Sequence, residues 1–167
     1  FAQPMEDITA PGDTMVAFPS GNSPGSEQYF NAVDDNVDTK YLNFDKEGTG
    51  FLITPSQGGS VVAGVTFTTA NDAAERDPVN FELYGSNSSI NGLYTLIVAD
   101  EIIDFKQGLE WPRFTKNTTP IHFVNAKAYN HYKLVFTALR DSARANSMQI
   151  AEVELLGAPE GGWPPQV

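Results

Sequence analysis

The sequence predicts an all-β chain folded as an antiparallel β-sandwich. Three observations carry this. Short β-branched runs recur along the chain, turn residues fill nearly every gap between them, and no long segment keeps a 3.6-residue apolar period. The first forty residues are rich in turn chemistry, as in Pro11-Gly12-Asp13, Pro19-Ser20-Gly21-Asn22 and Ser23-Pro24-Gly25-Ser26. Their one apolar piece is 15–18, and 26–33 is the one stretch that suits a short helix. Residues 61–69 (VVAGVTFTT) form a β-branched run bounded by Gly58-Gly59 and Asn71-Asp72. Residues 79–84 (VNFELY) alternate, which puts Val79, Phe81 and Leu83 on one face. Runs at 94–98, 121–124 and 132–137 follow, and 148–156 closes the set. Many short strands with little helix is the pattern of a sandwich.

The chain has 167 residues, the size of one domain with short tails. We expect the domain over 1–158 and a Pro/Gly-rich linker or tail over 159–167 (PEGGWPPQV). Lys+Arg number 10 against 21 Asp+Glu, a net charge of −11. That balance argues against nucleic acid, which demands a basic footprint, and against adhesion to anionic membranes. No apolar run reaches the roughly 20 residues of a membrane span. With no cysteine, disulfides, thiolate chemistry and Cys-ligated zinc are excluded. Residues 1–4 (FAQP) show no basic n-region of a signal peptide. The bases gather between Lys106 and Arg144, which predicts one locally positive face or an ordinary solvated surface.

The densest chemistry is 31–39 (NAVDDNVDT), with carboxylates, amides and a hydroxyl in one loop. Hard cations such as Ca²⁺ take six to eight oxygens of these kinds at about 2.3–2.6 Å. The loop lacks the DxDxDG spacing of an EF-hand, and composition alone favours an Asx-turn or helix cap over a calcium site.

The run Asn31-Ala32-x-Asp34-x-Asn36-x-Asp38-Thr39-x-Tyr41 resembles the early loop of the galactose-binding-like superfamily, which includes discoidin (coagulation-factor C-type) domains and family 32 carbohydrate-binding modules. Their pattern is Ala-x-Asp-Gly-Asn-x-x-Thr-x-Trp. Residues 148–157 (MQIAEVELLG) are similar to the family's last strand with its Glu, and 81–86 (FELYGS) to its central strand. The resemblance spans roughly 5–157 and implies a discoidin-like jelly-roll with one structural Ca²⁺. Carried over by position, the ligands would be the Asn31 carbonyl, Asp34, Asn36, Thr39, the Ala151 carbonyl and Glu152. A shared cation would also explain a carboxylate in the apolar strand at Glu152, where it would be costly to bury alone. The departures are Asp35 for Gly, a residue that tolerates left-handed backbone, and Tyr41 for Trp.

The resemblance also places a sugar in the loops at one end of the sandwich. Such a site needs a flat apolar surface for the ring's C–H face and planar polar groups for its hydroxyls. The loop 70–78 (ANDAAERDP) offers Asn71, Asp72 and Arg76, with an Arg76–Asp77 ion pair as the alternative. The loop 108–116 (GLEWPRFTK) offers Trp111, Arg113 and Phe114, with Trp111 as either a stacking platform or a core lid. Arg140 and Arg144 precede the last strand. Together Arg76, Arg113, Arg140 and Arg144 would suit a sulfated or uronic polysaccharide.

Catalytic signatures are missing. There is no HExxH, no GxSxG elbow and no phosphate or dinucleotide loop, and His122 and His131 fall in strand-like runs. The resemblance then implies non-catalytic binding of a poly- or oligosaccharide, anionic or galactose-containing, by a secreted bacterial module tethered to a catalytic domain. The alternatives are a protein or cell-surface adhesion module, predicting a flat apolar loop end, and a small polysaccharide lyase or hydrolase, predicting a deep cleft with His or Tyr beside Arg.

Overall fold

The computed structural model describes residues 5–159. Eleven strands are distributed over two facing sheets and a small pair. One sheet has the order β1 (Glu6–Asp7), β11 (Glu152–Pro159), β5 (Ser60–Thr68), β8 (Ile121–His122). The other has the order β2 (Thr14–Phe18), β4 (Thr49–Thr54), β9 (His131–Leu139), β6 (Pro78–Ser86), β7 (Thr95–Glu101). β10 (Met148–Ile150) pairs with β3 (Tyr41–Asn43) at one end. Every pairing is antiparallel. The sandwich is the fold the sequence predicts.

The core fills the space between the sheets. Phe67 of β5 meets Phe81 of β6 at 5.3 Å and Phe136 of β9 at 6.1 Å between ring centroids. Each such aromatic contributes about 1.5–3 kcal/mol by leaving water. Val79, Phe81 and Leu83 are all buried, as their alternation demands. Tyr41 is wholly buried and its hydroxyl donates to the Gly50 carbonyl (2.8 Å), so Tyr does act as the aromatic plug where the family pattern has Trp.

Several elements differ from the sequence reading. β4 is buried on both sides of its pleat, so no alternation announces it. The short helix sits at Tyr29–Val33 and is 3₁₀, and a single α-turn, α1 (Ile103–Lys106), adds to it. The run 148–156 is two strands in different sheets, broken at the fully buried Ala151, whose N–H donates to the Thr68 carbonyl (2.9 Å). A bulge between Leu156 and Gly157 brings Gly157 against the Val61 carbonyl, where a side chain has no room. β11 runs to Pro159, one residue into the expected tail, and 160–167 lie outside the described residues.

Candidate functional site

The acidic loop and the last strand meet. The Asn36 N–H donates to Glu152 Oε1 (3.2 Å) and Asp34 Oδ1 (3.0 Å), and Thr39 Oγ1 donates to Asp34 Oδ2 (2.5 Å). Asp35 has φ 58°, the left-handed conformation that the family pattern assigns to Gly. Asn31 brackets the loop, its amide donating to the Ser26 and Lys40 carbonyls (both 2.9 Å). Asn36 Oδ1 is occupied by the Asp38 N–H (2.9 Å). Glu152 is only 7% exposed. Burial first, then the facing Asp34 carboxyl, push its pKa from 4.5 up to about 9. A gap of about 180 Å³ opens beside it, lined by Asp35, Val37, Thr68, Lys116 and Glu154.

This donor set fits a hard cation. Two carboxylates meet in a half-dry cradle beside the Thr39 hydroxyl, and the Asp34 carboxyl adds to the cost of ionising Glu152. Among the described residues no three His, Cys, Asp or Glu side chains converge on such a point, so main-chain carbonyls must complete any shell.

Beside this cradle, at the same end of the sandwich, lies a cleft of about 460 Å³. Phe114 forms one wall, and Val37, Asp38, Thr39, Lys40, Asn71 and Glu27 contribute to the rest. Phe114 is 45% exposed and has φ 56°, a strained conformation for a bulky residue. The loop carrying it is stitched to the end of β5. Phe114 N donates to the Ala70 carbonyl (3.3 Å), Thr69 Oγ1 to the Pro112 carbonyl (2.6 Å), and Thr115 N to Thr69 Oγ1 (3.0 Å). Those bonds hold an apolar ring toward solvent. Opposite it, Lys40 Nζ spends its three donors on Asn71 Oδ1 (2.9 Å), Asp72 Oδ1 (3.2 Å) and Gln149 Oε1 (2.9 Å). Asn71 is thereby oriented with its amide N–H₂ unbonded among the described residues.

The basic residues behave otherwise than the sequence suggests. Arg113 grips the fully buried Asp77 with both guanidinium arms (2.9 and 2.5 Å), so Asp77 pairs with Arg113 and not with Arg76. Arg76 lies against Asp72 (3.8 Å) and Gln149 (3.4 Å). Arg140 donates to the Phe105 and Gly108 carbonyls (2.9 and 2.8 Å), tying down the end of α1. Arg144 reaches Asp141 at 4.0 Å. Arg140 and Arg144 line a separate polar cleft with Glu75, Glu110, Asp141 and Lys106. The four arginines therefore do not converge, and no positive face assembles from them. Each is drawn instead to a nearby acid or carbonyl. Trp111 packs against the core beside Phe105 (6.3 Å between centroids), which makes it a lid and not a platform. Of the seven ligand candidates only Asn71 lines the Phe114 cleft, while Asp72 touches its edge through Lys40. Phe114, Lys40 and Glu27, outside that set, line it as well. Phe114 shares its loop with Trp111, and the signal that separates them is three-dimensional exposure.

No family model matches the sequence, and no significant match to a curated protein was found. Solved structures do match. The family 32 carbohydrate-binding module of Clostridium perfringens NanJ, in complex with galactose, superposes with TM-score 0.62 at 15% identity over 86% of this chain and 93% of its own. The C. perfringens module CpGH89CBM32-5, in complex with GalNAc-β-1,3-galactose, gives 0.63 at 16% over 86% and 94%. A third module, from a C. perfringens family 31 glycoside hydrolase, gives 0.69 at 13% over 93% and 95%. These likenesses establish the discoidin-like β-sandwich fold.

Proposed function

We propose that this domain is a non-catalytic carbohydrate-binding module that holds a neutral, galactose-type ring in the Phe114 cleft. The observation that carries the reading is the exposed Phe114 ring, held in strained backbone over polar side chains. A pyranose could lay its C–H face on that ring while Asn71 donates to a hydroxyl and Glu27 or Asp38 accepts from one. The structural neighbours with bound galactose or GalNAc-β-1,3-galactose support the ligand class. A neutral sugar suits the cleft better than an anionic one, because Lys40 is committed to protein acceptors and the other charged lining residues, Glu27 and Asp38, are acids.

The same reading gives the Asp34–Glu152 cradle a structural Ca²⁺. Asp34, Thr39 and Glu152 would bind it through side chains, with Asn31, Asn36 and Ala151 completing the shell. The ion would supply the positive charge that lets Glu152 ionise beside Asp34, and so fasten the loop that carries Lys40 and Asp38. Both histidines lie away from the cleft. His131 Nδ1 is bonded to Thr54 Oγ1 (2.7 Å) and His122 stands on β8, neither in the cleft. In a secreted bacterial protein, the module's role would be to raise the local concentration of an attached catalytic domain on a polysaccharide. Binding of lactose and N-acetylgalactosamine, measured by calorimetry on the wild type and on Phe114→Ala, tests the site. Equal affinity of the two proteins would sink it.

A further inference from the structure

The outer face of the five-stranded sheet holds a second pocket. Strand alternation turns Met15, Ile53, Leu134 and Leu83 toward the core. It therefore sends Val16 and Phe18 of β2, Leu52 of β4, Lys133 of β9 and Tyr84 of β6 outward. On this face the Lys133 ammonium is ringed by aromatics. Its Nζ lies 4.2 Å from the Tyr84 centroid, 4.9 Å from Phe18 and 5.3 Å from Tyr94. All three are within the reach of a cation–π contact. The rings are held in place, since the Tyr94 hydroxyl donates to the Ile90 carbonyl (2.8 Å) and that of Tyr84 to Glu82 Oε1 (2.7 Å).

Ring faces attract the cation but offer no lone pair to its N–H groups. Among the described residues the Lys133 ammonium makes no hydrogen bond and has no carboxylate oxygen within 4.0 Å. In a chain of net charge −11, this ammonium sits among aromatic rings with no acid paired to it among the described residues. Lys133 lines a pocket of about 250 Å³ together with Phe18, Leu52, Asn91, Gly92 and Tyr94, and among the described residues it is the sole charged residue of that lining. That volume is just under the roughly 300–1,000 Å³ of drug-sized sites and suits a single ring.

We propose that this pocket is a second binding site, for one acidic sugar unit, with its carboxylate or sulfate on Lys133 and its C–H face against Tyr94 or Phe18. A cation with three unspent donors wants an anion, and aromatic walls want an apolar ring face. An acidic pyranose carries both. The site shares no lining residue with the Phe114 cleft, and it rests on the carbohydrate reading only for the class of ligand.

The test uses the intact chain, titrated by calorimetry and by ¹⁵N chemical-shift mapping with trigalacturonate, a sulfated chondroitin disaccharide and neutral lactose. At least one acidic probe should bind and shift amides around Lys133 and Tyr94. Lys133→Met should weaken it about tenfold, the loss of one charge-assisted contact. Lys133→Arg should stay within about threefold, because it keeps the charge. Phe114→Ala should leave acidic binding unchanged. The proposal is overturned if acidic probes shift only residues around Phe114, if Lys133→Met binds them as tightly as wild type, or if lactose binds and neither acidic probe does. Loss of all sugar binding would overturn it together with the carbohydrate reading. Melting curves of the variants separate a lost contact from a lost fold.

Discussion

The main-chain N–H of Asn36 donates to Glu152 Oε1 at 3.2 Å, across 116 residues of sequence. One hydrogen bond thus ties the acidic loop to the last strand, and it delivers Glu152 to Asp34. Two carboxylates brought together in a buried place are stable only when something neutralises them.

Calcium should therefore stabilise the domain. At about a hundredfold excess over its dissociation constant it adds about 2.7 kcal/mol. For a domain of this size that is about 5–10 °C in melting temperature. Differential scanning calorimetry before and after exhaustive chelation measures it, with elemental analysis confirming removal. An unchanged melting point in calcium-free protein would show that the cradle binds no stabilising ion.

Without the ion, stability should fall as pH rises. Glu152, displaced from 4.5 to about 9 mainly by burial, holds its proton more tightly folded than unfolded. Asp7, pushed from 3.8 to about 6 by burial, does the same over a lower range. The contribution from Glu152 is fully present below about 4.5 and is lost as pH climbs through about 9. Melting of chelated protein should decline between about pH 5 and 8.5, and saturating calcium should flatten the decline. A chelated protein that melts higher at pH 8 than at pH 5 would contradict the Asp34–Glu152 repulsion.

Arg113 and Arg144 should respond oppositely to truncation. Arg113→Ala strands the buried Asp77 carboxylate and should cost about 3–5 kcal/mol. Arg144 has a side chain 73% exposed and a 4.0 Å contact with Asp141, so Arg144→Ala should fall within about 0.5 kcal/mol of wild type. Urea denaturation of both variants measures the contrast. Similar costs for the two would mean that the Arg113–Asp77 clasp holds nothing together.

Phe114→Ala should lower affinity for a neutral galactoside about tenfold and leave melting nearly unchanged, because the ring faces solvent and supports no core residue. Trp111→Ala should do the reverse, since that ring packs on Phe105. Calorimetric titration and thermal melts of the pair distinguish them. A Trp111 variant that folds normally and loses the sugar would return the platform to Trp111.

Much of this molecule is legible along the chain. The alternation of Val79, Phe81 and Leu83 declares a strand with one buried face, and the oxygen-rich loop and the Glu in an apolar strand each stand out, while their pairing follows only from the family resemblance. Those features are local, set by period and by the cost of burying charge, and so they survive without coordinates. The roles of the arginines are not local. Arg76, Arg113, Arg140 and Arg144 look alike in sequence, and only the folded loops decide that one clasps Asp77, one binds carbonyls at α1, and the others lie beside acids. The same holds for Trp111 and Phe114, three residues apart in one loop, where the stitching of Thr69 and Ala70 turns one ring inward and the other out. Charge, turn chemistry and strand periodicity were readable because each residue carries them by itself. Which aromatic is exposed and which cation is unspent depends on what the rest of the chain brings alongside, and only the tertiary structure determines that.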